Sequence, residues 1–500
     1  MFEISLYDIE HVYNTLKNKA FNCYSHNKID QLINFIDASA SIAAHFNWIF
    51  TDAEVEDLLR KVAYKYVYMK GDFVPNSKKI VFYDQIGSTT CLGLQYLRGL
   101  IGSDFEILYI FESSTRKCSP VILEELSKCA KATSFIINSS KSNKIGTIIE
   151  LYNTILSFQP QKSIFHSPAE GAFGVILWNA LPQIKRYRIV PGDHHFYLGI
   201  SCTDFFFEFR KYGYTVAIEK RYISKDKILF QPYYPVIDND LFYGFPIKTQ
   251  NKVIIFSAGA MYKSYGENDL YFHIIKKLLF DYPQVIFLFA GGGFDVPFKN
   301  FVKTNNFQNR LILLGFRQDL NMCIANSDIF LATFPFTGGL TTQYAAYYSK
   351  PILSYTTADL SMNIIDDLIG SPLFKKQPIT YTDLNAFFSY AKELILNKQF
   401  RMEEGIRVNK ILTTKQEFNY NLMSNLGDCV VDCVKEKLYI DYNKHLNLYL
   451  NIERNYIPIL ETFLVLKFRF NFINLFPQLI IPILFNSMFY KRLIKRLRCK

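Results

Sequence analysis

The chain carries two successive series in which an apolar segment runs into a polar or glycine-bearing loop and then a helix. From Lys78, KKIVFYDQIG reads as a strand ending in such a loop, and CLGLQYLRGL follows as a helix. FEILYIF (105–111), a helix over 119–131, ATSFIIN (132–138), a helix over 145–157 and KSIFHS continue the series. A second series starts at Lys252 with VIIFSAGAMYK, then an amphipathic helix, ENDLYFHIIKKLLFDYP, stopped by Pro283. QVIFLFAGGG, RLILLGFRQDL, DIFLATFPFTGGL and PILSYTT complete it. Strands separated by helices predict parallel βαβ units, hence an α/β chain with two Rossmann-like halves facing a cleft. In open α/β sheets ligands bind beyond the carboxyl ends of the strands, which directs attention to the loops.

A length of 500 residues exceeds what one hydrophobic core usually serves. Four regions are predicted. Residues 1–70 form a helical bundle, with Ile29, Leu32, Ile33, Ile36 and Ala40, then Val55, Leu58, Leu59 and Val62, at helical spacing. Asp52 opens the third helix, with Glu54 and Glu56 in its first turn. Residues 75–245 are the first α/β domain, although 185–245 read as irregular and end in QPYYPVIDND. Residues 250–425 are the second, with the join near 240–251, and 426–500 form a helical, amphipathic and basic tail.

The net charge of +11 is concentrated rather than spread, because Lys491 to Lys500 carry six Lys or Arg and no acid. That argues for a local anionic contact and against a nucleic-acid-binding chain. Nine scattered cysteines include no C-x-x-C pair and no zinc spacing, so no metal site is expected. MFEISLYDIEHVY shows no basic region followed by an apolar one, and a reducing cytoplasm is the expected setting.

The stretch 309–353 carries the most chemistry. Thr337 to Thr342 combine glycine-freed backbone at Gly338 and Gly339, the hydroxyls of Thr341 and Thr342, and a helix N-terminus. Those are the parts that hold a diphosphate without a metal, and an ordinary helix cap uses them too. Arg317 either faces the donor phosphates or forms a surface pair with Asp319. Gly291 to Gly293 either let backbone approach a ligand or make a tight turn.

These segments resemble the donor half of GT-B glycosyltransferases. IFSAGAMYKSYG (255–266) is similar to the Asn-Gln-Leu-Tyr-Lys loop of protein O-GlcNAc transferases and their bacterial relatives, with Lys263 on the lysine. Residues 309–353 resemble the corresponding stretch, with Thr341 and Thr342 on its paired threonines. The detailed resemblance covers about 100 residues and the two-lobe layout 75–425. It implies a nucleotide-sugar donor as substrate, no cofactor, no metal, and a diphosphate held by Lys263 and the threonine loop. Two departures stand out. Aligned on Ser349-Lys350-Pro351, the paired glutamates of many retaining members fall on Phe336 and Tyr344. The acidic ribose ligand of the O-GlcNAc transferase pattern is replaced by Tyr344 or Ala345.

In the first α/β domain, VPGDHHFYLGISCTDFFFEFRKYG (190–213) sets Asp193 beside His194. A carboxylate that fixes the tautomer of an imidazole suits general-base work on an acceptor hydroxyl; a structural histidine is the other reading. The phrase resembles Asp-His-x-Phe-Trp-Leu-Gly segments of bacterial glycosyltransferases, with His194 on the histidine. Asp84 and Gln85 end the first strand, where they either contact the acceptor or, for Asp84, cap the following helix.

Phe470 to Tyr490 is 21 residues without charge, interrupted by Pro477 and Pro482. An interfacial anchor is favoured over a spanning helix, and packing on the protein itself is a third option. The expected function is transfer of a sugar to a cell-envelope glycan, lipid-linked or protein acceptor, at the cytoplasmic face of an anionic membrane. A nucleotide-sugar 2-epimerase of the same fold, or an inactive scaffold binding partners, are the alternatives.

Overall fold

The computed structural model describes residues 5–87, 91–112, 119–137, 143–237, 240–370, 378–427, 436–456, 459–469, 471–484 and 490. The chain divides into two compact units, Leu6–Tyr233 with Thr414–Lys437, and Tyr234–Thr413 with the chain from Leu438 on.

The first unit opens with α1 (Leu6–Ser25), α2 (Ile29–Phe46) and α3 (Ala53–Tyr66). Asp52 caps α3 by accepting from the amides of Glu54 and Val55. Leu32, Ile33, Ile36, Leu58, Leu59 and Val62 enter the same core as Phe165 and Trp178, so these helices and the sheet region share one hydrophobic interior. The sheet alternates with helices: β1 (Asn76–Asp84), α4 (Cys91–Ile101), β2 (Glu106–Glu112), α5 (Pro120–Ser127), β3 (Ala132–Ile137), α6 (Lys144–Phe158), β4 (Pro160–His166), α7 (Ala172–Asn179), β5 (Lys185–Ile189), β6 (Phe205–Glu208), α8 (Lys211–Glu219) and β7 (Ile228–Phe230). The seven strands are parallel in the order β3-β2-β1-β4-β5-β6-β7. Residues 185–245, read as irregular, thus contain three of its strands and a helix.

The N-terminal helices also supply polar groups to the α/β part. Asp37 of α2 accepts from the Ala172 amide at 3.0 Å, at the start of α7, whose own cap position is Gly171. Asp30 accepts from the amides of Lys144 and Ile145 at the start of α6. Glu56 of α3 accepts from the amides of Gly199, Ile200 and Ser201 at 2.6, 3.2 and 3.0 Å. Each satisfies amides that a helix start or tight loop leaves open.

The second unit runs β8 (Val253–Ala258), α9 (Leu270–Asp281), β9 (Val285–Ala290), α10 (Val296–Thr304), β10 (Leu311–Gly315), α11 (Leu320–Ala325), β11 (Ile329–Leu331), α12 (Gly339–Tyr347), β12 (Ile352–Tyr355), α13 (Asp366–Ile369), β13 (Thr380–Tyr381), α14 (Leu384–Leu396) and α15 (Lys398–Lys410). Its strands are parallel in the order β10-β9-β8-β11-β12-β13. The loops leaving β8, β9 and β10 are tied by backbone bonds: Gly259 N to Ala290 O, Met261 N to Gly292 O and Gly291 N to Gly315 O, at 3.0, 2.9 and 2.8 Å. A Cβ on Gly291 would stand 1.8 Å from the Gly259 carbonyl oxygen, so that glycine serves loop-to-loop approach.

Next, α16 (Lys415–Leu426) belongs to the first unit, where Phe418 meets the Tyr96 ring and Asn425 donates to the Phe230 carbonyl at 3.1 Å. The chain then contributes α17 (Tyr442–Asn455), α18 (Ile459–Phe468), α19 (Asn471–Leu475) and α20 (Ile480–Leu484) to the second unit. Among the described residues no helix is long and apolar enough to cross a membrane.

Candidate functional site

In the second sheet the strand order reverses between β8 and β11, the switch point at which open α/β sheets bind ligands. The loop after β8 forms a 3₁₀ turn, Met261–Ser264, that carries Lys263. The Lys263 ammonium donates to the Thr337 carbonyl at 3.3 Å, one residue ahead of Gly338, which caps α12. A backbone bond from the Phe336 amide to the Lys263 carbonyl, 3.2 Å, joins the two loops. Lysine and the start of α12 therefore stand together on one side of the sheet. Both carry positive potential, the lysine as a full charge and the helix start as a partial one.

The glycines and threonines of 337–342 have separable tasks. A Cβ on Gly338 would come within 2.5 Å of Thr341 Oγ1, so a side chain there would displace that hydroxyl. Thr341 donates its hydroxyl to the Gly338 carbonyl at 2.9 Å and remains half-buried. Thr342 is buried, and its hydroxyl donates to the Gly339 carbonyl at 2.6 Å. This corrects the expectation that both hydroxyls face a ligand: both donate to backbone carbonyls, and Thr342 is in addition fully buried. The loop is set by Asn363, which donates to the Pro335 carbonyl at 2.7 Å and accepts from the Thr337 amide at 3.0 Å. Nothing in the local sequence marks Asn363, because its partners lie 26 and 28 positions away.

Arg317 takes a structural place. It donates to both carboxylate oxygens of Asp319 at 2.6 Å and to the Gly244 carbonyl at 2.9 Å. Asp319 is fully buried and also accepts from the Tyr243 amide at 2.9 Å. The Arg317 hydrogen bonds pull its carboxyl down to about 2. Of the two readings of Arg317, the pair with Asp319 is the one that forms, off the surface, and it pins segment 243–244.

The Asp193–His194 loop follows β5 in the first unit. His194 Nδ1 lies 3.2 Å from Asp193 Oδ1, and the His194 side chain keeps 26% exposure while Asp193 is buried. The Arg210 guanidinium grips Asp193 with Nε on one oxygen and Nη2 on the other. Burial alone would raise the Asp193 carboxyl, but Arg210 and His194 outweigh it and hold the group well below the usual carboxylate range. Arg221 Nη2 donates to the carbonyls of Asp193 and His195 at 2.8 and 2.6 Å, bracketing His194 on the backbone. Nearby Glu208 is fully buried, 4.0 Å from Arg221 Nη1, and burial pushes its carboxyl up to about 8 against the pull of that arginine. The arrangement leaves an ionised, immobile carboxylate behind a partly exposed imidazole.

Asp84 is taken up inside the fold. Its Oδ1 accepts from the amides of Ile86 and Gly87 and faces His166 Nδ1 at 3.1 Å, while Oδ2 accepts from the Tyr109 hydroxyl at 2.6 Å. It has no exposure, and through these bonds it braces its own turn. Gln85 is half-buried and donates to Glu112 at 2.5 Å. Among the described residues, no group of three or more His, Cys, Asp or Glu is placed to hold a metal ion.

No protein-family model and no curated protein matches the chain. Among solved structures it is similar to a mutant of the Thermobaculum terrenum O-GlcNAc transferase, at 12% identity and a TM-score of 0.56, over 87% of this chain and 83% of that one. It is also similar to Anabaena Alr3699/HepE solved with UDP and glucose, at 13% identity and a TM-score of 0.51, over 70% of this chain and 100% of that one. The same Anabaena protein solved with UDP-glucose is 14% identical with a TM-score of 0.50, over 70% and 99%. At these identities the likeness establishes the fold, the two-sheet GT-B architecture expected from the sequence.

Proposed function

We propose that the chain is a glycosyltransferase that takes a nucleotide-sugar donor. The carrying observation is Lys263, 3.3 Å from the Thr337 carbonyl at the entry to α12, beside the switch point of the second sheet. An ammonium and a helix N-terminus at that place suit a diphosphate, which becomes the leaving group when the acceptor oxygen attacks the anomeric carbon. UDP and UDP-glucose bound to the Anabaena protein of like fold support a nucleotide sugar as the ligand class. His194, backed by Asp193, is the group in this reading that takes the acceptor's proton. Cofactor and metal play no part in it.

Lys263→Ala is expected to weaken nucleoside diphosphate binding by about 10–150-fold, the range for one charge-assisted hydrogen bond. Isothermal titration with UDP and GDP checks this, and unchanged affinity for whichever one binds would remove Lys263 from the site. Incubation with a nucleotide-sugar panel tests the activity itself: sugar transfer supports the reading, whereas epimerisation of the donor or silence opposes it.

The acceptor in this proposal is a glycan, lipid-linked or protein group at the cytoplasmic face of the membrane, reached through the C-terminal tail. Helices α19 and α20 bury Phe472 and Ile483 yet leave Ile473, Ile481 and Leu484 more than half exposed. The six basic residues of 491–500, outside the described residues, add about 1 kcal/mol each at an anionic surface. Within the uncharged stretch 470–490, Phe470 lies outside the described residues, Phe472 is buried, Leu475 and Ile480 are half-buried, and Ile481 is exposed. In membrane fractionation the full chain is expected to sediment with membranes and to be released only partly by high salt, because salt screens charge but not apolar contact. A chain ending at Tyr456 should stay in the supernatant, and equal sedimentation of both would place the anchor elsewhere.

A further inference from the structure

The loop that carries Lys263 continues into an unusual run of backbone. Gly266, Glu267, Asn268 and Asp269 have φ of 99°, 50°, 54° and 59°. Glycine enters this region freely and Asn or Asp tolerate it, but Glu267 has no such ease, and four such residues in succession need outside support. The support comes from α17, far along the chain. Lys444 pairs with Glu267 at 2.9 Å and reaches Asp359 at 3.5 Å. Leu448 packs where a Cβ on Gly266 would stand, 3.0 Å away. Tyr456, at the end of α17, stacks on Tyr265 with centroids 5.2 Å apart and donates its hydroxyl to Asp269 at 2.5 Å. Tyr449 meets the ring of Phe336, whose amide bonds the Lys263 carbonyl, at 5.1 Å. One helix thus holds both the loop after β8 and the loop leading into α12.

We infer that α17 is a brace for the diphosphate site, with Tyr456 and Lys444 as positioning residues that set where Lys263 stands. The inference rests on the diphosphate reading above. Neither residue belongs to the phosphate machinery, so their effect runs through the loop. Left-handed residues released from Tyr456 and Lys444 return to ordinary φ, which moves the turn Met261–Ser264 and its lysine.

The test uses the full chain, with Tyr456→Ala, Tyr456→Phe and Lys444→Ala, UDP as the probe, and hydrogen exchange across residues 259–270. Tyr456→Ala is expected to weaken UDP binding about tenfold, the size of one lost hydrogen bond, and to speed exchange in that segment. Tyr456→Phe keeps the ring and loses only the hydroxyl, so it should fall between alanine and wild type; Lys444→Ala should shift both readouts the same way. Wild-type exchange in 259–270 for Tyr456→Ala overturns the brace, as does wild-type UDP affinity. If the wild-type chain binds no UDP, the diphosphate reading is what fails for that nucleotide, and exchange alone then decides the brace. Should Tyr456→Ala not fold, Tyr456→Phe carries the comparison, and wild-type values for it overturn the role of the hydroxyl.

Discussion

Arg210→Ala is expected to destabilise the protein by about 3–5 kcal/mol, the range for removing one partner of a buried ion pair. The Arg210 and Asp193 side chains keep 5% and 1% exposure, and the guanidinium meets both carboxylate oxygens. Alanine leaves that carboxylate in the interior with His194 as its remaining side-chain partner among the bonds described above. The effect depends on pH with a definite sign. A carboxyl held low in the folded state contributes stability above its unfolded pKa, about 3.9, and loses it as pH falls through the folded value. Without Arg210, burial dominates and raises the group, so the variant protonates Asp193 earlier than wild type. The gap in stability is therefore widest near neutral pH and narrows as pH falls below the variant's raised pKa. Denaturant unfolding near neutrality and in mild acid reads both features. Arg210→Lys keeps the charge without the two-pronged grip and should lie between. Coincident unfolding curves for wild type and Arg210→Ala near neutral pH would mean that Asp193 is not held as an ion pair.

That ion pair was out of reach of a sequence reading, and so was the strand that leads to it. Strands such as β4, β8 and β9 were legible because parallel strands buried on both faces read as continuous apolar runs. Lys185-Arg186-Tyr187-Arg188-Ile189 breaks that pattern, yet it is a central strand. Its arginines are accommodated by partners elsewhere: Arg186 pairs with Asp204, and Arg188 lies over the rings of Phe165 and Tyr197 at 5.3 and 4.3 Å. Those side chains neutralise or cover the charge, so a polar string becomes an interior strand.

The same contrast divides the candidate site. Thr337 to Thr342 were legible because a glycine-bearing loop and a helix start are contiguous in the chain. Lys263 became assignable only through its resemblance to a family loop, and its place beside Thr337 is a contact across 74 positions. Tyr456 and Asp269 are 187 positions apart, and Glu56 and Gly199 143 apart, so no local pattern announces either. At Arg317 and Asp84 the sequence leaves two readings open. Polar residues at strand ends are attractive as ligands, but both are consumed by neighbouring backbone and side chains. Exposure decided between the readings, and exposure is a property of the folded chain.

Removing the His194 imidazole is expected to lower turnover by about 10²–10⁴-fold, the usual contribution of a positioned acid–base group. The geometry favours a proton on Nδ1, directed at the Asp193 carboxylate 3.2 Å away, which leaves the Nε2 lone pair as the basic site. Arg210 keeps Asp193 ionised, and Arg221 fixes the carbonyls on either side of His194. An imidazole so held gives up little orientational freedom when it accepts a proton. Because His194 has no part in the proposed diphosphate contacts, the substitution should act on turnover and leave UDP affinity at the wild-type level. Asp193→Asn should also reduce turnover, since the amide no longer stabilises an imidazolium, and the loss of its Arg210 pair should appear as reduced stability. Single-turnover rates with a saturating nucleotide sugar, alongside UDP titration, separate these effects. A His194→Ala protein within a few-fold of wild-type turnover would make the histidine structural. A product that retains the anomeric configuration would also count against it, because direct displacement by an activated acceptor inverts that centre.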